Sequence, residues 1–368
     1  MKVPSLDLKR QYATVKAEVD EAIRRVVECQ GFILGPEVEG IEKEMAAFCG
    51  VKHGVGVASG SEALHIALMA AGIGRGDEVL TTSYTFFATA GAIHEVGARP
   101  VFLDIDPRTF NIQCKDIEKN INKNTKAILP VHLYGQCAEM DEILRVATRH
   151  NLLVIEDAAQ AIGAEYKGRR AGALGDLACF SFYPTKNLSC FGDGGMVTTP
   201  SDDLAERLRV LRVHGAKPKY YHSVVGVNAR LDAIQAAVLR AKMKHLPGWN
   251  ERRREIARFY DSGLKDAGVV VPYVEPHGVH VYHQYVIRSQ KRDELAAYLK
   301  AQGVDTAVYY PVPLHVQKCF ADLGYKEGGL PESERAARET LALPIFPEMT
   351  QAEMDYVVRC IRDFAGKA

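Results

Sequence analysis

Short apolar runs alternate with helix-length segments through the middle of the chain, and this alternation constrains the fold more than any other feature. Between about residues 54 and 200 the runs are VGVA, EVLTT, PVFLDI, AILPVHLYG, LLVIEDAA, LACFSFY and MVTT. Strands separated by helices imply crossover connections and a mostly parallel sheet that is covered on both faces. Ligands of such sheets bind beyond the carboxyl ends of the strands, so the residues that follow each run are candidates for function.

Beyond about Arg230 the pattern changes to longer, charged helices and a segment richer in proline. Pro247 interrupts the helical pattern, and the strand-like runs that follow are VVVPYV, YHQYVIR and TAVYYPVPLH. The 368 residues also exceed the length of a typical single domain. We therefore predict a large α/β domain over residues 1–246 and a smaller α+β domain over residues 247–368.

Composition excludes several classes of partner. The 46 basic residues balance the 46 acidic ones, so nothing indicates binding to nucleic acid. The eight cysteines form no CxxC pair, which argues against a zinc site or a disulfide scaffold, and no metal is expected. No apolar leader opens the sequence, and no later stretch is apolar over the roughly 18 residues that span a bilayer. These features predict a soluble, cytoplasmic protein that acts on a small molecule.

The first candidate site follows the run VGVA, where the tripeptide SGS precedes a helical pattern. Serines and a glycine at a helix N-terminus offer hydroxyls and free backbone N–H groups to an anion, and the helix dipole supports the binding. Gly60 and Ser61 are therefore candidate phosphate ligands. An ordinary helix cap accounts for the same residues, and this segment alone does not separate the two interpretations.

Two adjacent carboxylates form the second candidate site. Glu156 and Asp157 end the buried run LLVIEDAA and are followed by Ala159 and Gln160. A carboxylate in such a place is costly unless it meets a cation or hydrogen-bond donors. The protonated ring nitrogen of a pyridine cofactor is one possible partner, and a helix cap or a structural salt bridge is the alternative.

Lys186 is the third candidate, because it follows the buried run LACFSFY after Pro184 ends the strand. A lysine forms a Schiff base only when its amine can lose a proton, which requires a desolvated or electropositive pocket. An ordinary solvated lysine is the alternative. Ser181, in the same run, is a further candidate phosphate ligand. Phe86 follows another strand and is a candidate to stack on a planar ring, with a place in the core as its alternative.

Together these segments resemble the DegT/DnrJ/EryC1/StrS family of pyridoxal-phosphate-dependent nucleotide-sugar aminotransferases. The matching segments cover nearly the whole chain and include SGSEAL, TFFATA, IEDAAQAIGA, SFYPTKNL, GDGGMV, GVNARLDAIQAAVL and YYPVPLH. The resemblance implies the α/β fold of the fold type I transferases, with a mostly parallel mixed sheet flanked by helices and a smaller C-terminal α+β domain. It also implies pyridoxal 5′-phosphate as the cofactor.

The resemblance further implies roles for single residues. Lys186 is implied to hold the cofactor as a Schiff base and then to move the proton, while Asp157 pairs with the pyridinium nitrogen. The other implied cofactor contacts are Gly60, Ser61 and Ser181 at the phosphate, Phe86 and Ala159 on the two ring faces, and Gln160 at the phenolic oxygen. Some relatives with histidine in place of the lysine are dehydratases, so Lys186 favours amino transfer.

Assembly and substrate are implied in the same way. Asn228, in the G-x-N-x-R-L-D motif, is implied to reach the phosphate in the neighbouring subunit, which predicts a homodimer with shared active sites. The implied reaction moves an amino group from L-glutamate to a keto group of a nucleotide-linked sugar. YYPVPLH and KYYHSVVGVNARLD look most like members that aminate carbon 3 of dTDP- or UDP-linked sugars, for surface polysaccharide or glycoside biosynthesis.

Several alternatives stay open at this stage. A 4-keto nucleotide sugar or a keto-inositol is an alternative acceptor, and a non-catalytic regulator that binds the cofactor or a nucleotide sugar is an alternative function. The candidate substrate residues are Tyr183, Tyr221, Arg230, Tyr309, Tyr310 and His315. Tyrosines in a proline-rich segment also pack at domain or subunit interfaces, so each has a structural alternative.

Overall fold

The computed structural model describes residues 1–366. Within that range the strands are β1 (His53–Val57), β2 (Glu78–Thr82), β3 (Arg99–Leu103), β4 (Thr125–Leu129), β5 (Leu153–Asp157), β6 (Glu165–Tyr166), β7 (Arg169–Arg170), β8 (Leu177–Ser181), β9 (Gly195–Thr199), β10 (Gly278–Val279), β11 (Tyr285–Arg288) and β12 (Thr340–Leu343). The helices are α1 (Leu8–Cys29), α2 (Pro36–Cys49), α3 (Gly60–Ala70), α4 (Ala88–Glu95), α5 (Met140–His150), α6 (Asp202–Leu211), α7 (Ala233–Met243), α8 (Leu246–Gly263), α9 (Arg292–Ala301), α10 (Pro331–Glu339) and α11 (Gln351–Ala365).

The central sheet has seven strands in the order β1-β9-β8-β5-β4-β2-β3. β3, β2, β4, β5 and β8 pair in parallel, whereas β9 pairs antiparallel with both β8 and β1. The helices α3, α4 and α5 connect parallel strands, as crossover connections require. All seven predicted runs are strands of this sheet, and the prediction of a mostly parallel mixed sheet is confirmed.

Both faces of the sheet are buried, which is why its strands read as continuous apolar runs rather than as alternating ones. Successive residues of one strand point to opposite faces. Val154 accordingly packs in the core formed with α2, α5 and α7, while its neighbour Ile155 packs in the core formed with α3, α4 and α6. Helices on both sides leave only the ends of the strands open to a ligand.

The C-terminal part is built around the antiparallel pair β11 and β12. α8, α9 and α11 pack together against this pair in a separate apolar core. Pro247 lies in the first turn of α8, where its missing N–H costs no helical hydrogen bond. Val3 also belongs to this core and pairs with Val304, so the first residues of the chain pack with its C-terminal part. The boundary at residue 247 stays a prediction.

None of the helices within residues 1–366 combines the length and the apolar character needed to cross a lipid bilayer.

Candidate active site

Asp157 ends β5 at the carboxyl edge of the sheet and is 5% exposed. Thr89 Oγ1 donates to its Oδ2 at 2.7 Å, and the backbone N–H of Ala159 donates to Oδ1 at 3.2 Å. Burial raises the pKa of this carboxyl group, and the two hydrogen bonds and Lys186 oppose the rise. Within the described residues no basic side chain lies in ion-pair contact with Asp157. A buried carboxylate of this kind is suited to a protonated ligand atom.

Glu156, the adjacent carboxylate, has the structural role instead. Its oxygens accept hydrogen bonds from His132 Nε2 at 2.9 Å and from the backbone N–H groups of Gly172, Leu174 and Gly175 at 2.8 to 2.9 Å. Burial raises the pKa of Glu156, but these donors outweigh it and the pKa is lowered overall. Because four donors already satisfy Glu156, the carboxylate left for a ligand is Asp157.

Lys186 lies in a tight turn directly after β8. Its backbone N–H donates to the carbonyl of Tyr183 at 2.8 Å, and within residues 1–366 its Nζ makes no hydrogen bond to the protein. Burial lowers the pKa of the amine to about 8, with Asp157 opposing. Lys186 is half-buried, which disfavours the interpretation as an ordinary solvated lysine, and the lowered pKa makes a neutral amine accessible near neutral pH, as Schiff-base chemistry requires.

A pH profile tests this property of Lys186. In the cofactor-free protein we expect the rate of Lys186 labelling by an amine reagent to rise with pH and to level off above about pH 8, because the neutral amine is the nucleophile. Lys167 is the internal control, since its hydrogen bond to Asp141 raises the pKa of its amine. Mass spectrometry of the two peptides reads both rates at once, and parallel profiles would contradict the expectation.

The start of α3 lies directly against Ser181. Ser59 is the N-cap, and its Oγ accepts the N–H of Glu62 at 3.1 Å. The cap interpretation therefore holds for Ser59, while the N–H groups of Gly60 and Ser61 belong to the first turn, which has no helical acceptors for them. A Cβ on Gly60 would stand 2.5 Å from Ser181 Cβ and 3.0 Å from its Oγ. The structure thus brings together all three predicted phosphate ligands.

Replacing Gly60 with alanine tests this close approach. Since a Cβ contact of 2.5 Å forces α3 away from Ser181, we expect Gly60→Ala to destabilise the protein by about 1–3 kcal/mol and to weaken cofactor binding. Gly248→Ala is the matched control, because a Cβ there meets nothing within 4 Å. Urea unfolding and titration with pyridoxal phosphate measure the two effects. Equal stability of the two variants would show that α3 moves at no cost.

Aromatic and amide groups flank the space next to Asp157. Gln160 Nε2 donates to the Tyr310 hydroxyl at 3.1 Å, and its Oε1 accepts the N–H of Tyr134 at 2.7 Å. Phe86 is 55% exposed, and its ring centroid lies 5.9 Å from that of Tyr310. The alternative that Phe86 is a core residue is therefore wrong. Ala159 lies between Asp157 and Gln160 and is half-buried.

The candidate substrate residues divide by location. Tyr183 and Tyr221 are 53% and 71% exposed, whereas Arg230, Tyr309 and Tyr310 are half-buried. The Tyr84 hydroxyl donates to the Tyr309 carbonyl at 2.7 Å and accepts the Tyr310 N–H at 3.0 Å, which holds the two tyrosines near the end of β2.

His315 does not line this space. It is buried, its Nδ1 lies 2.6 Å from Ser83 Oγ, and its Nε2 lies 3.1 Å from Glu334. Both ring nitrogens have protein partners, so the structure does not support the predicted substrate contact for His315. It anchors the segment that carries Tyr309 and Tyr310 instead.

Asn228 and Arg230 lie in a segment that runs beside the end of β1. Asn228 is exposed and its backbone bridges to Val213, while Arg230 bridges to Val57. The nearby side chains of Tyr220, Tyr221, Val224 and Val225 are 49% to 90% exposed.

A separate cluster consists of Glu139, Glu275 and His277, which are close enough together to share a metal ion. Arg108 lies 3.6 Å from Glu275 and competes with a cation for that carboxylate.

Sequence reasoning overlooked two residues that support the site. Thr89 donates to Asp157, although it lies in the quoted stretch TFFATA one helical turn beyond Phe86. Asn187, next to Lys186, donates to Asn250 Oδ1 at 2.8 Å and to the Val281 carbonyl at 3.1 Å. The spacing of one helical turn from Phe86 could have indicated that Thr89 also lies at the site. No local signal marks Asn187, because its partners are distant in sequence.

A fold type I pyridoxal-phosphate enzyme is the class that this sheet and its carboxyl edge define. The profile of the DegT/DnrJ/EryC1/StrS aminotransferase family matches residues 13–362, and the chain belongs to that family. The predicted family, the fold type, the sugar aminotransferase activity and pyridoxal 5′-phosphate as the cofactor are thereby confirmed.

Individual relatives are similar over their whole length. The "Pleiotropic regulatory protein" of Geobacillus stearothermophilus is 55% identical, over 99% of this chain and 99% of the relative. The dTDP-3-amino-3,4,6-trideoxy-alpha-D-glucose transaminase of Streptomyces venezuelae is 47% identical, over 100% and 97%. The crystal structure of S. venezuelae DesV in complex with a ketimine intermediate superposes with a TM-score of 0.98 at 46% identity, covering 100% of this chain and 99% of that one.

Proposed function

We propose that the chain transfers the amino group of L-glutamate to carbon 3 of a dTDP- or UDP-linked keto sugar. The observation that carries the proposal is a lysine of lowered pKa near a buried carboxylate that makes no ion pair within residues 1–366, in a chain similar to a transaminase of a dTDP-linked 3-amino sugar. The 4-keto sugars and keto-inositols are the alternative acceptors, since the residues around Lys186 do not discriminate among them.

The described residues fit the cofactor at each of its polar ends. Gly60 and Ser61 offer N–H groups, and Ser181 offers a hydroxyl, to a phosphate at the start of α3. Asp157 would hold a proton at the ring nitrogen, and Phe86 and Ala159 would lie on the two sides of the ring. Gln160 would reach the phenolic oxygen if its amide turned away from Tyr310. When bound, pyridoxal phosphate supplies an electron sink for the charge left by proton removal.

Lys186 is the group that moves the proton. Its amine has no hydrogen bond to the protein within residues 1–366, and its pKa of about 8 lets it accept and release a proton near neutral pH. Tyr183 and Tyr310 lie next to the lysine turn and to Gln160, where they can orient the sugar. The reaction is expected to run as two half-reactions, first with the amino donor and then with the keto sugar.

A panel of substrates tests the proposal directly. The enzyme is incubated with glutamate and, in separate reactions, with 3-keto and 4-keto forms of dTDP- and UDP-linked sugars, and the products are read by mass spectrometry. We expect amination of a 3-keto sugar at the highest rate. Amination of only the 4-keto sugars would refute the assignment of carbon 3 while leaving the activity itself intact.

A regulatory function is the alternative to the enzyme, because the G. stearothermophilus relative is named a "Pleiotropic regulatory protein". The glutamate half-reaction separates the two functions, because a regulator has no need to convert the cofactor to its amine form. A stoichiometric spectral change on addition of glutamate is expected for the enzyme. An unchanged spectrum with every amino acid tried would favour the regulator.

A homodimer with shared active sites is part of the proposal. The exposed apolar side chains of residues 220–225 support it, because a cluster of this kind marks an interaction surface. In a shared site Asn228 of one subunit would contact the cofactor phosphate in the active site that contains Lys186 of the other.

The absence of disulfides among the eight cysteines, all of which are free, supports a cytoplasmic location.

Mixing two inactive variants tests the shared site. Lys186→Ala removes the amine, and Asn228→Asp places a negative charge where a phosphate is expected, so each variant alone is expected to be nearly inactive. A refolded mixture is expected to regain activity that neither variant has, because a mixed dimer contains one intact site. A mixture with no gain over its parts would show that each subunit builds its site alone.

A further inference from the structure

Asn187, directly after Lys186, is the centre of a buried hydrogen-bond network. It is 3% exposed, and its Nδ2 donates to Asn250 Oδ1 at 2.8 Å and to the carbonyl of Val281 at 3.1 Å. Asn250, on α8, is 4% exposed, and its own Nδ2 donates to the carbonyl of Ile162 at 3.0 Å. The network therefore joins the lysine turn to three segments that are distant from it in the sequence.

Backbone carbonyls fix the direction of the bonds in this network. A carbonyl only accepts, so Asn250 presents its N–H₂ group to Ile162 and its oxygen to Asn187. Asn187 in turn presents its N–H₂ group to Val281 and Asn250, which leaves its Oδ1 as an acceptor. His283 Nδ1 lies 3.3 Å from that oxygen. Neither amide can turn round without the loss of at least two hydrogen bonds.

His283 is neutral in this arrangement, with its proton on Nδ1, because the oxygen of Asn187 needs a donor opposite it. Burial lowers the pKa of His283 most, and the charges of Lys186 and Arg253 lower it further. Arg253, also on α8, holds the same segment, since its Nη1 donates to the His283 carbonyl at 3.3 Å. Burial lowers the pKa of its guanidinium to about 10. Two side chains of α8 thus act on the residues next to the lysine turn.

Asn250 also holds the loop that follows Asp157. Ile162 belongs to this loop, and its carbonyl accepts the hydrogen bond from Asn250. Gly163 leaves the room for this contact, because a Cβ there would stand 2.7 Å from Asn250 Nδ2. One buried side chain on α8 is therefore connected both to the loop of Asp157 and to the turn of Lys186.

We infer that Asn250 is a positioning residue, which fixes the turn of Lys186 relative to the loop of Asp157. Within the described residues Asn250 makes no hydrogen bond to either group, and it acts through Asn187 and the Ile162 carbonyl. The C-terminal part of the chain thereby supports the site, because α8 packs in its core. The inference rests on the proposed function in taking Lys186 as the reacting amine.

Asn250→Leu tests the inference, because it removes both hydrogen bonds of Asn250 and keeps a side chain of similar volume. Burial lowers the pKa of Lys186 to about 8, with Asp157 opposing, so a turn that moves freely lets water reach the amine and raises the pKa. In the cofactor-free protein we expect the midpoint of the Lys186 labelling profile to rise by about one pH unit. The midpoint, unlike the plateau, does not depend on how easily the reagent reaches the amine.

Asn111→Leu is the matched control. Asn111 is 3% exposed and also holds a loop, since its Nδ2 donates to the carbonyls of Gln136 and Cys137 at 3.1 Å. Both variants leave buried partners unsatisfied, so both are expected to lose stability. Only Asn250→Leu is expected to shift the midpoint of Lys186, and equal midpoints in the two variants would overturn the inference.

Asn250→Ser keeps the test decisive if Asn250→Leu does not fold. A serine side chain is too short to serve both partners of Asn250 at once. We therefore expect the midpoint of Lys186 to move in the same direction by a smaller amount. A midpoint equal to that of the unmutated protein would overturn the inference.

Hydrogen–deuterium exchange of the cofactor-loaded enzyme gives an independent result. We expect the backbone amides of the Lys186 turn and of the loop at Ile162 to exchange about tenfold faster in Asn250→Ser, because one side chain holds both segments. Asn111→Ser is expected to leave the exchange of both segments unchanged. Faster exchange in only one of the two segments, or in neither, would overturn the inference.

Neither measurement needs substrate turnover, so these outcomes are distinguishable from failure of the proposed function. If the unmutated enzyme aminates no keto sugar, the proposed function fails, while the midpoint and the exchange still decide the role of Asn250. If the enzyme is active and the Asn250 and Asn111 variants behave alike, the activity stands and only the positioning role is wrong.

Discussion

Replacing Lys186 with alanine is expected to abolish multiple-turnover amino transfer. Lys186 has the free amine beside Asp157, and burial lowers its pKa to about 8, so no other group in the site can take its place as nucleophile and proton carrier. The measurement is amino-sugar formation over many turnovers, together with the near-visible absorbance of the bound cofactor. We expect both to be lost in Lys186→Ala.

Lys167→Ala is the control, since Lys167 is exposed and pairs with Asp141 on the surface. It is expected to match the unmutated enzyme in rate and spectrum. Borohydride reduction adds a chemical check: the cofactor is expected to become fixed to the peptide that contains Lys186. Substantial turnover by Lys186→Ala, or fixation on another lysine, would refute the assignment.

Asp157→Asn is expected to lower kcat by a factor on the order of 10² to 10³, which is typical for removal of one preorganised electrostatic group. An amide cannot hold a proton at the ring nitrogen, although it can still accept the Thr89 hydroxyl. Asp141→Asn is the control, because that carboxylate is exposed and lies outside the site. Steady-state kinetics with the preferred keto sugar measures the effect.

Although Asp157→Asn is expected to lower kcat, the free energy of unfolding of the same variant is expected to stay unchanged or to increase. Burial raises the pKa of Asp157 in the folded state, so its ionised form costs stability at neutral pH, and this cost grows as the pH rises through that pKa. A neutral amide removes the cost. The cofactor-free Asp157→Asn protein should therefore unfold at the same or a higher urea concentration than the unmutated protein. A less stable variant with normal kcat would contradict both expectations.

Much of the site could be predicted from sequence because its residues follow strands. Asp157, Ser181 and Lys186 each come at or just after the end of an apolar run, and parallel strands bring such positions to one edge. Gly60 was predictable for the same reason. Its necessity was not, because the contact that excludes a Cβ comes from Ser181, over a hundred residues away in the sequence.

The contacts that sequence analysis did not predict run across the fold. His315 was predicted to bind substrate, but Ser83 and Glu334 occupy its ring nitrogens. Ser83 lies 232 residues from His315 in the sequence and Glu334 lies 19 residues from it, so no local sequence pattern indicates either contact. Val3 packs with Val304 in the C-terminal core, although the sequence placed the first residues with the large domain. Composition and periodicity describe local conformation, so they do not report such pairings.

The sequence by itself determined the order of strands and helices, since this depends on local periodicity, and its resemblance to a known family implied the cofactor class and the role of the lysine. Only the tertiary structure gave the physical reason why Asp157, rather than the adjacent Glu156, is available to a ligand. Glu156 accepts hydrogen bonds from His132 and from three N–H groups of the loop at residues 172–175, while Asp157 accepts two and makes no ion pair within residues 1–366. The lowered pKa values of Lys186 and Arg253 were likewise decided by burial, because desolvation depends on every group packed around a charge.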